Sequence, residues 1–381
     1  MSFSSLGLSP SLLEAVAARQ FQEPFPIQLQ AIPAILAGQD LLAIARTGSG
    51  KTASFILPLL QRLQGQQPAE KRRALKALIL VPTRELAMQI ADFAQTIANY
   101  LPTRLKIRAV YGGVAINPQM TAVNAVDLLI ATPGRLLDLL AKNALQLTAV
   151  ETLVLDEADR LLDLGFSEEL GRILALLPPQ RQNLLFAATA GEYLQALATP
   201  LLHAPLRLDL GATSSDTGQI SQKIYTVSAE RKGPLLRYLL KKGAWQQVLV
   251  FTSTKRRADN VAKKLVDHGL SAEALHGDRT QGARIKALAD FKQGKLRVLV
   301  ATDLAARGID IAGLPYVVNY ELPRAASDYT HRIGRTGRAH AAGLAITLLS
   351  PEEFEHFKMI EKKLGQRCER IATDDLELAG Y

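Results

Sequence analysis

Short, continuously apolar runs recur along this chain between longer stretches of helical pattern, and that succession limits the fold more than any other feature. In the first half they are LLAIA (41–45), ALILV (77–81), DLLIAT (127–132), TLVLDE (152–157) and NLLFAAT (183–189). A strand with one wet face alternates apolar and polar residues. These runs do not alternate, so both faces are expected to be covered, as in a parallel sheet with helices on each side. The stretches between them, such as TASFILPLLQRLQ (52–64), suit the crossover connections that such a sheet needs. The second half repeats the plan with QVLVFTST (247–254), RVLVATD (297–303), YVVNYEL (316–322) and LAITLL (344–349).

Between the halves lies GATSSDTGQ (211–219), small and polar, which reads as a linker. A length of 381 residues fits two domains of roughly 150 residues each. The expected organisation is an α/β domain over 1–210, the linker 211–219, a second α/β domain over 220–370 and a short, loose acidic tail over 371–381. Residues 351–369 place Phe354, Phe357 and Leu364 at helical spacing. No fixed period of 20–50 residues is visible, which disfavours a solenoid.

Composition narrows the function classes. Hydrophobic residues make up 48% of the chain, enough for real cores, so wholesale disorder is excluded. A single cysteine, Cys368, excludes a disulfide framework and a cysteine zinc site, and the six histidines lack ligand spacing. The start MSFSSLGLSP has no signal-peptide pattern, and no apolar run reaches the length of a membrane span. A cytoplasmic protein of a reducing compartment is therefore expected. Lys+Arg 45 against Asp+Glu 36 gives +9, a lean towards a polyanionic partner.

Directly after the first apolar run comes ARTGSGKT (45–52), followed by a helical pattern. Strand, glycine-rich loop and helix in that order form a phosphate cradle. Gly48 and Gly50 let backbone N–H groups turn towards phosphate oxygens, with Thr47 and Ser49 in the same loop, and the helix offers its positive end. Lys51 would reach the β- and γ-phosphates and Thr52 would ligate Mg²⁺. Ala45 stands where the general pattern has Gly. About 105 residues on, TLVLDEAD (152–159) puts acids at the end of a buried strand, where charge is costly unless it meets a cation. Asp156 would hold the metal through water, and Glu157 would orient and activate an attacking water. The competing reading is an acidic cap on the next helix. Together the two motifs indicate an NTPase.

At DEAD (156–159) the chain resembles the DEAD-box ATP-dependent RNA helicases, most like the bacterial RhlE-type branch. The likeness covers about residues 3 to 350. It includes, in order, PTRELA (82–87), GG (112–113), TPGR (132–135), DEAD, HGD with QGAR (276–278, 281–284), ATDLAARGID (301–310) and HRIGRTGR (331–338). The resemblance implies two tandem RecA-like domains, each a mostly parallel sheet flanked by helices. Hydrolysis of ATP with Mg²⁺ would be stimulated by RNA and would separate duplexes locally.

The resemblance also implies residue roles. In HRIGRTGR, three arginines share one short turn with Gly334 and Gly337, and such density calls for an anion, for which a planar fork suits phosphate. Arg335 and Arg338 would act as arginine fingers on the γ-phosphate, and His331 would couple that loop to the first domain. A solvated basic loop is the competing reading of this segment alone. Asp310 resembles the residue that contacts the ribose.

RQFQEPFPIQ (19–28) resembles the family's adenine-reading Q motif, with the Gln28 amide on the adenine edge, Phe21 stacking and Phe3 as the upstream aromatic; core aromatics in an N-terminal helix hairpin are the competing reading. Gln20 stands where Gly is usual, and Phe25 where a small hydroxyl residue usually contacts the phosphate loop.

RNA contacts are expected from loops at the carboxyl ends of the strands. In the first domain these are Pro82, Thr83, Arg84, Gly112, Gly113, Thr132, Gly134 and Arg135; in the second, Arg284 and Thr302 resemble residues that contact RNA or support that surface. Such contacts meet phosphate and 2′-hydroxyl groups and carry little sequence information. A helix cap or a surface charge is the competing reading of each Thr or Arg taken singly.

LLFAATA (184–190) departs from the family's Ser-Ala-Thr, with Ala187, Ala188 and Thr189 in its place. The missing hydroxyl would bond near Asp159 and His331, so weakened coupling of hydrolysis to duplex opening is expected. An ATP-gated RNA clamp or annealing factor and a DNA-directed helicase are the rival readings. The protein is expected to act as a monomer, with RNA as its partner and no membrane.

Overall fold

The computed structural model describes residues 2–45, 48–65, 73–210, 220–306, 314–337, 343–365 and 367–381. The expected linker 211–219 lies outside them, as do Thr47, Asp310 and Arg338. The chain divides into two compact units, Met1–Thr213 and Ser214–Tyr381.

The first unit is built on β1 Leu41–Ala45, β2 Ala77–Leu80, β3 Ile107–Val110, β4 Leu128–Ala131, β5 Thr152–Leu155, β6 Gln182–Ala187 and β7 Leu206–Leu210. They form one sheet in the order β3-β4-β2-β5-β6-β1-β7, every pair parallel. Every residue of β1, β2, β4, β5 and β6 is buried, which is why their sequences run continuously apolar. Successive residues feed opposite faces. Leu41, Ile79, Ile130 and Val154 join Leu12, Ile27, Phe55 and Ile90 in one core. Leu42, Leu78, Leu129 and Leu153 join Leu136, Ile173 and Leu194 in the other.

The second unit carries β8 Ile220–Thr226, β9 Val248–Thr252, β10 Ala272–Leu275, β11 Val298–Thr302, β12 Tyr316–Asn319, β13 Gly343–Leu349 and β14 Arg370–Ala372. Their order is β10-β11-β9-β12-β13-β8-β14, again parallel throughout. The helix expected from Phe354, Phe357 and Leu364 spans Phe354–Leu364.

The expectation of a loose tail after residue 370 is corrected. β14 pairs with β8, and the Thr373 hydroxyl donates to the Thr226 carbonyl at 2.6 Å. Leu376 and Leu378 pack on the core around Leu235 and Val248, and the Tyr381 ring meets Tyr238 edge-on at 5.1 Å. The acids Asp374, Asp375 and Glu377 that gave the segment its polar look face solvent, while the apolar residues between them turn inward.

Candidate functional site

In the first unit the carboxyl end of the sheet is shared between two groups of loops. The segments after β5, β6 and β1, three neighbouring strands, hold DEAD, Ala187–Ala188–Thr189 and the glycine loop. The segments after β3, β4 and β2 hold Gly112 and Gly113, Thr132 to Arg135, and Pro82 to Arg84. The expected phosphate site and the expected RNA contacts thus fall on adjacent halves of one edge, the usual place for ligands of an open parallel sheet.

The glycine loop is a backbone device. Gly48 and Gly50 sit at φ +84° and +88°, which L side chains rarely adopt, and the helix Lys51–Gly65 starts immediately after them. Ser49 Oγ is buried with no hydrogen-bond partner among the described residues, a donor suited to a phosphate oxygen. The buried Lys51 ammonium donates to the carbonyls of Ala45 and, at 3.4 Å, of Ala187, bridging the ends of β1 and β6. Thr52 lies half-buried on the first turn of the helix.

The acids lie opposite. Asp156 is 3% exposed at the end of β5, and burial pushes its carboxyl up to about 7 despite the lowering influence of Lys51. Its Oδ1 accepts from the Glu157 N–H at 2.9 Å. Glu157 adopts φ +49°, ψ +50°, a left-handed conformation that costs a non-glycine residue about 1–3 kcal/mol and clusters at active sites. Its Oε2 is buried and accepts no hydrogen bond among the described residues, with Arg160 Nη1 at 3.7 Å. An oxygen held in place by a strained backbone, with no hydrogen-bond donor on it among the described residues, is placed to accept a hydrogen bond from water.

Asp159 holds the end of β6. Its Oδ2 accepts from the N–H groups of Ala188 and Thr189 and from the Thr189 hydroxyl, at 3.1, 3.0 and 2.8 Å. Ala187 itself is fully buried.

The Q segment meets the phosphate loop through Gln28. This side chain is 2% exposed; its Nε2 donates to the Gly50 carbonyl at 3.1 Å, and its Oε1 accepts from the Phe25 N–H at 2.9 Å. The expected adenine reader is therefore seen tying its own segment to the loop. A Cβ at Gly50 would lie 2.5 Å from Gln28 Nε2 and 2.8 Å from Phe25 Cδ2, so the exposed Phe25 ring does approach the loop, with apolar contact replacing a hydroxyl. Phe21 stands in a row with Phe3 and Phe93, ring centroids 6.3 and 6.5 Å apart, with Arg19 over Phe93.

In the other half, Thr83 caps the helix Arg84–Ala98 by accepting from the Leu86 N–H at 3.3 Å, so the helix-cap reading holds for its side chain. Pro82 beside it is buried. Thr132 precedes the helix Pro133–Ala141 and makes no cap bond. Arg135 is buried and donates to the Val114 carbonyl at 2.9 Å, fixing the loop that follows Gly113. Gly113 has φ +80° and the Arg84 guanidinium against it. Gly112 and Gly134 have ordinary φ and nothing within 4 Å of a Cβ, so packing among the described residues does not require glycine at either.

In the second unit, Arg332 answers the crowding of arginines from within. It is 2% exposed, grips Asp303 through Nε and Nη2 at 2.5 and 2.7 Å, and donates to the Glu321 carbonyl at 2.6 Å. The signal was available: Asp303 follows a buried apolar strand as Asp156 does. Arg335 and Arg284 are buried, Thr302 ends β11, and His331 lies half-buried on the helix Ala326–Ile333.

Similarity to known proteins points to one family. Residues 25–197 match the family described as DEAD/DEAH box helicase, and residues 231–340 match the helicase conserved C-terminal domain. The chain is 39% identical over 369 residues to the DEAD-box ATP-dependent RNA helicase RhpA of Helicobacter pylori, covering 97% of this chain and 73% of that protein. With the DEAD-box ATP-dependent RNA helicase CshA of Bacillus cereus the identity is 38% over 378 residues, covering 99% and 71%. The structure of S. cerevisiae Dbp5 bound to RNA and ADP BeF3 is similar at TM-score 0.88 and 31% identity, covering 98% of this chain and 96% of that one.

Proposed function

The chain belongs to the DEAD-box ATP-dependent RNA helicases, and on that premise we propose which of its residues perform each task. The observation that carries the assignment is Glu157, left-handed, buried and without a hydrogen bond on Oε2 among the described residues, one residue beyond the Asp156 that faces Lys51. Lys51, with the backbone of Gly48, Ser49 and Gly50 and of Thr47, holds the β- and γ-phosphates. Glu157 orients water and takes its proton. The water oxygen bonds to the γ-phosphorus as the bond to the β-bridging oxygen breaks, giving ADP and phosphate. Arg335 and Arg338 neutralise charge on the transferred group, Asp310 contacts the ribose, and Phe21 and Gln28 fix the base.

The acid set fits Mg²⁺. A carboxyl raised to about 7 by burial regains its charge when a cation sits beside it, and Asp156 through water and Thr52 directly are the residues that would hold one. The ion supplies charge neutralisation on the phosphates when bound.

RNA is proposed to lie along Pro82, Thr83, Arg84, Gly112, Gly113, Thr132, Gly134 and Arg135, with Arg284 and Thr302 from the second unit. Glycines 112 and 134, which the described packing does not demand, support that path. Asp159, Ala187, Thr189 and His331 are proposed to link hydrolysis to strand separation. The RNA-bound Dbp5 structure favours RNA over DNA as the nucleic acid. The finer form of the proposal is a monomeric, cytoplasmic protein of the RhlE-type branch. No helix among the described residues is long and apolar enough to cross a membrane.

Glu157→Gln tests the assignment. It should bind ATP and RNA as the parent does and hydrolyse nothing; hydrolysis surviving in this variant would move the base elsewhere.

A further inference from the structure

The residues leading into the outer strand β3 read RLKIRAV (104–110) and alternate strictly between core and solvent at their start. Leu105 and Ile107 are buried in the first core, while Arg104, Lys106 and Arg108 are exposed. We propose that these three side chains form a phosphate track that extends the RNA site of the first unit outward from Gly112 and Gly113. The inference rests on the RNA path given above and adds a surface to it.

Three observations carry it. In an extended chain alternate residues stand about 7 Å apart on one face, close to the separation of successive phosphates along an extended nucleic-acid strand. The charges are uncompensated: none of the three makes an ion pair among the described residues. Lys106 Nζ donates to the Asn124 carbonyl at 3.2 Å and Arg108 Nη1 to its neighbour's carbonyl at 2.8 Å. The nearby acid, Asp127, is already engaged by Arg73 at 2.8 Å and by the Lys106 N–H at 2.7 Å.

The track also leads somewhere. β3 ends at Val110, and Tyr111 is pinned by Gln119, which accepts from its N–H at 2.9 Å and donates to its carbonyl at 3.2 Å. Gly112 and Gly113 follow directly, so Arg108 lies about 13 Å of extended chain from Gly112. A strand passing the glycines meets the basic face next.

Basic residues on an outer strand also discourage pairing with another chain, and the test separates the two roles. The triple variant Arg104→Gln/Lys106→Gln/Arg108→Gln is compared with the parent. RNA binding is measured by fluorescence anisotropy across a salt series, with a non-hydrolysable ATP analogue present. Two RNAs are used: the shortest that stimulates ATP hydrolysis and one about ten nucleotides longer. The parent should bind the longer RNA with a steeper salt dependence than the shorter. The variant should lose about 2 from the logarithmic salt slope on the longer RNA, at about 0.7 per phosphate contact. Its affinity for the short RNA and its hydrolysis without RNA should be unchanged. Arg104→Lys/Arg108→Lys, which keeps the charge, should keep the slope.

An unchanged slope in the triple variant overturns the track. If self-association appears alongside that unchanged slope, the residues serve edge protection. If the parent binds neither RNA, the RNA path beneath the inference fails first.

Discussion

Thr189 is joined to Asp159 twice through one oxygen, its hydroxyl donating to Oδ2 at 2.8 Å and its N–H at 3.0 Å. The Ala188 N–H adds a third bond at 3.1 Å. The serine that the family commonly places at 187 is absent, yet the last acid of DEAD stays tethered to the end of β6 by three donors.

That tether gives a prediction about coupling. A net hydrogen bond contributes about 0.5–1.5 kcal/mol, equivalent to about 2- to 13-fold in a population. Thr189→Ala should lower duplex released per ATP hydrolysed by about that factor, and Thr189→Ser should restore it. Ala187→Ser should raise the same ratio. If Thr189→Ala leaves the ratio unchanged in paired release and hydrolysis assays, Asp159 is not part of the coupling.

Asp156 makes the nucleotide-free fold sensitive to pH. Burial holds its carboxyl protonated up to about 7, whereas the unfolded chain ionises near 3.8. Between those values the folded state binds the extra proton, so stability falls as pH rises from about 4 to about 7. Asp156→Asn should remove that part of the decline and raise the melting temperature near neutral pH while abolishing hydrolysis. Thermal melts across pH that run parallel for the two proteins would contradict it.

Gly50 is required twice, by φ +88° and by the 2.5 Å approach of Gln28 Nε2 to a Cβ there. Gly50→Ala should raise KM for ATP more than it lowers kcat. Because Phe25 is the second obstruction at 2.8 Å, Phe25→Ala in the same protein should recover part of the loss. Steady-state kinetics of the two variants decide it, and an additive loss in the double variant would show that the ring is not a constraint.

Gly134 separates fold from function. Alanine there meets open space on the first turn of the helix Pro133–Ala141, so stability should be kept or rise by about 0.4–1 kcal/mol. The RNA concentration for half-maximal stimulation should rise about tenfold, equivalent to ~1.4 kcal/mol of lost contact. Equal RNA response in Gly134→Ala and the parent would remove this glycine from the path.

The arginines of HRIGRTGR should divide by role. Arg332→Ala breaks a buried, forked pair with Asp303 and should destabilise the second unit by about 3 kcal/mol. Arg332→Lys should fare little better, since an ammonium lacks the fork. Arg335→Ala should lower hydrolysis while sparing more of the melting temperature. Melting curves with matching losses at 332 and 335 would contradict the division.

The interior strands were readable because both of their faces are covered. LLAIA, ALILV and RVLVATD contain β1, β2 and β11 to within a residue or two. The strands that the apolar runs missed were β3, β7, β10 and β14, the four sheet edges, and β8, whose outer neighbour is three residues long. Their residues are partly exposed, as in Arg108 or Lys223, so the apolar signal breaks. At the site, Lys51, Asp156 and Glu157 announce themselves by residue type and spacing. The Ala45 and Ala187 carbonyls that hold Lys51 and the Phe25 N–H that meets Gln28 could not be read, because backbone groups carry no sequence mark.

The most direct test of the whole reading is steady-state ATP hydrolysis without nucleic acid, with single-stranded RNA and with matched DNA, using Glu157→Gln as the blank. Strong stimulation by RNA alone, absent in the blank, is the expected result. Equal stimulation by DNA, or hydrolysis that persists in Glu157→Gln, would contradict it.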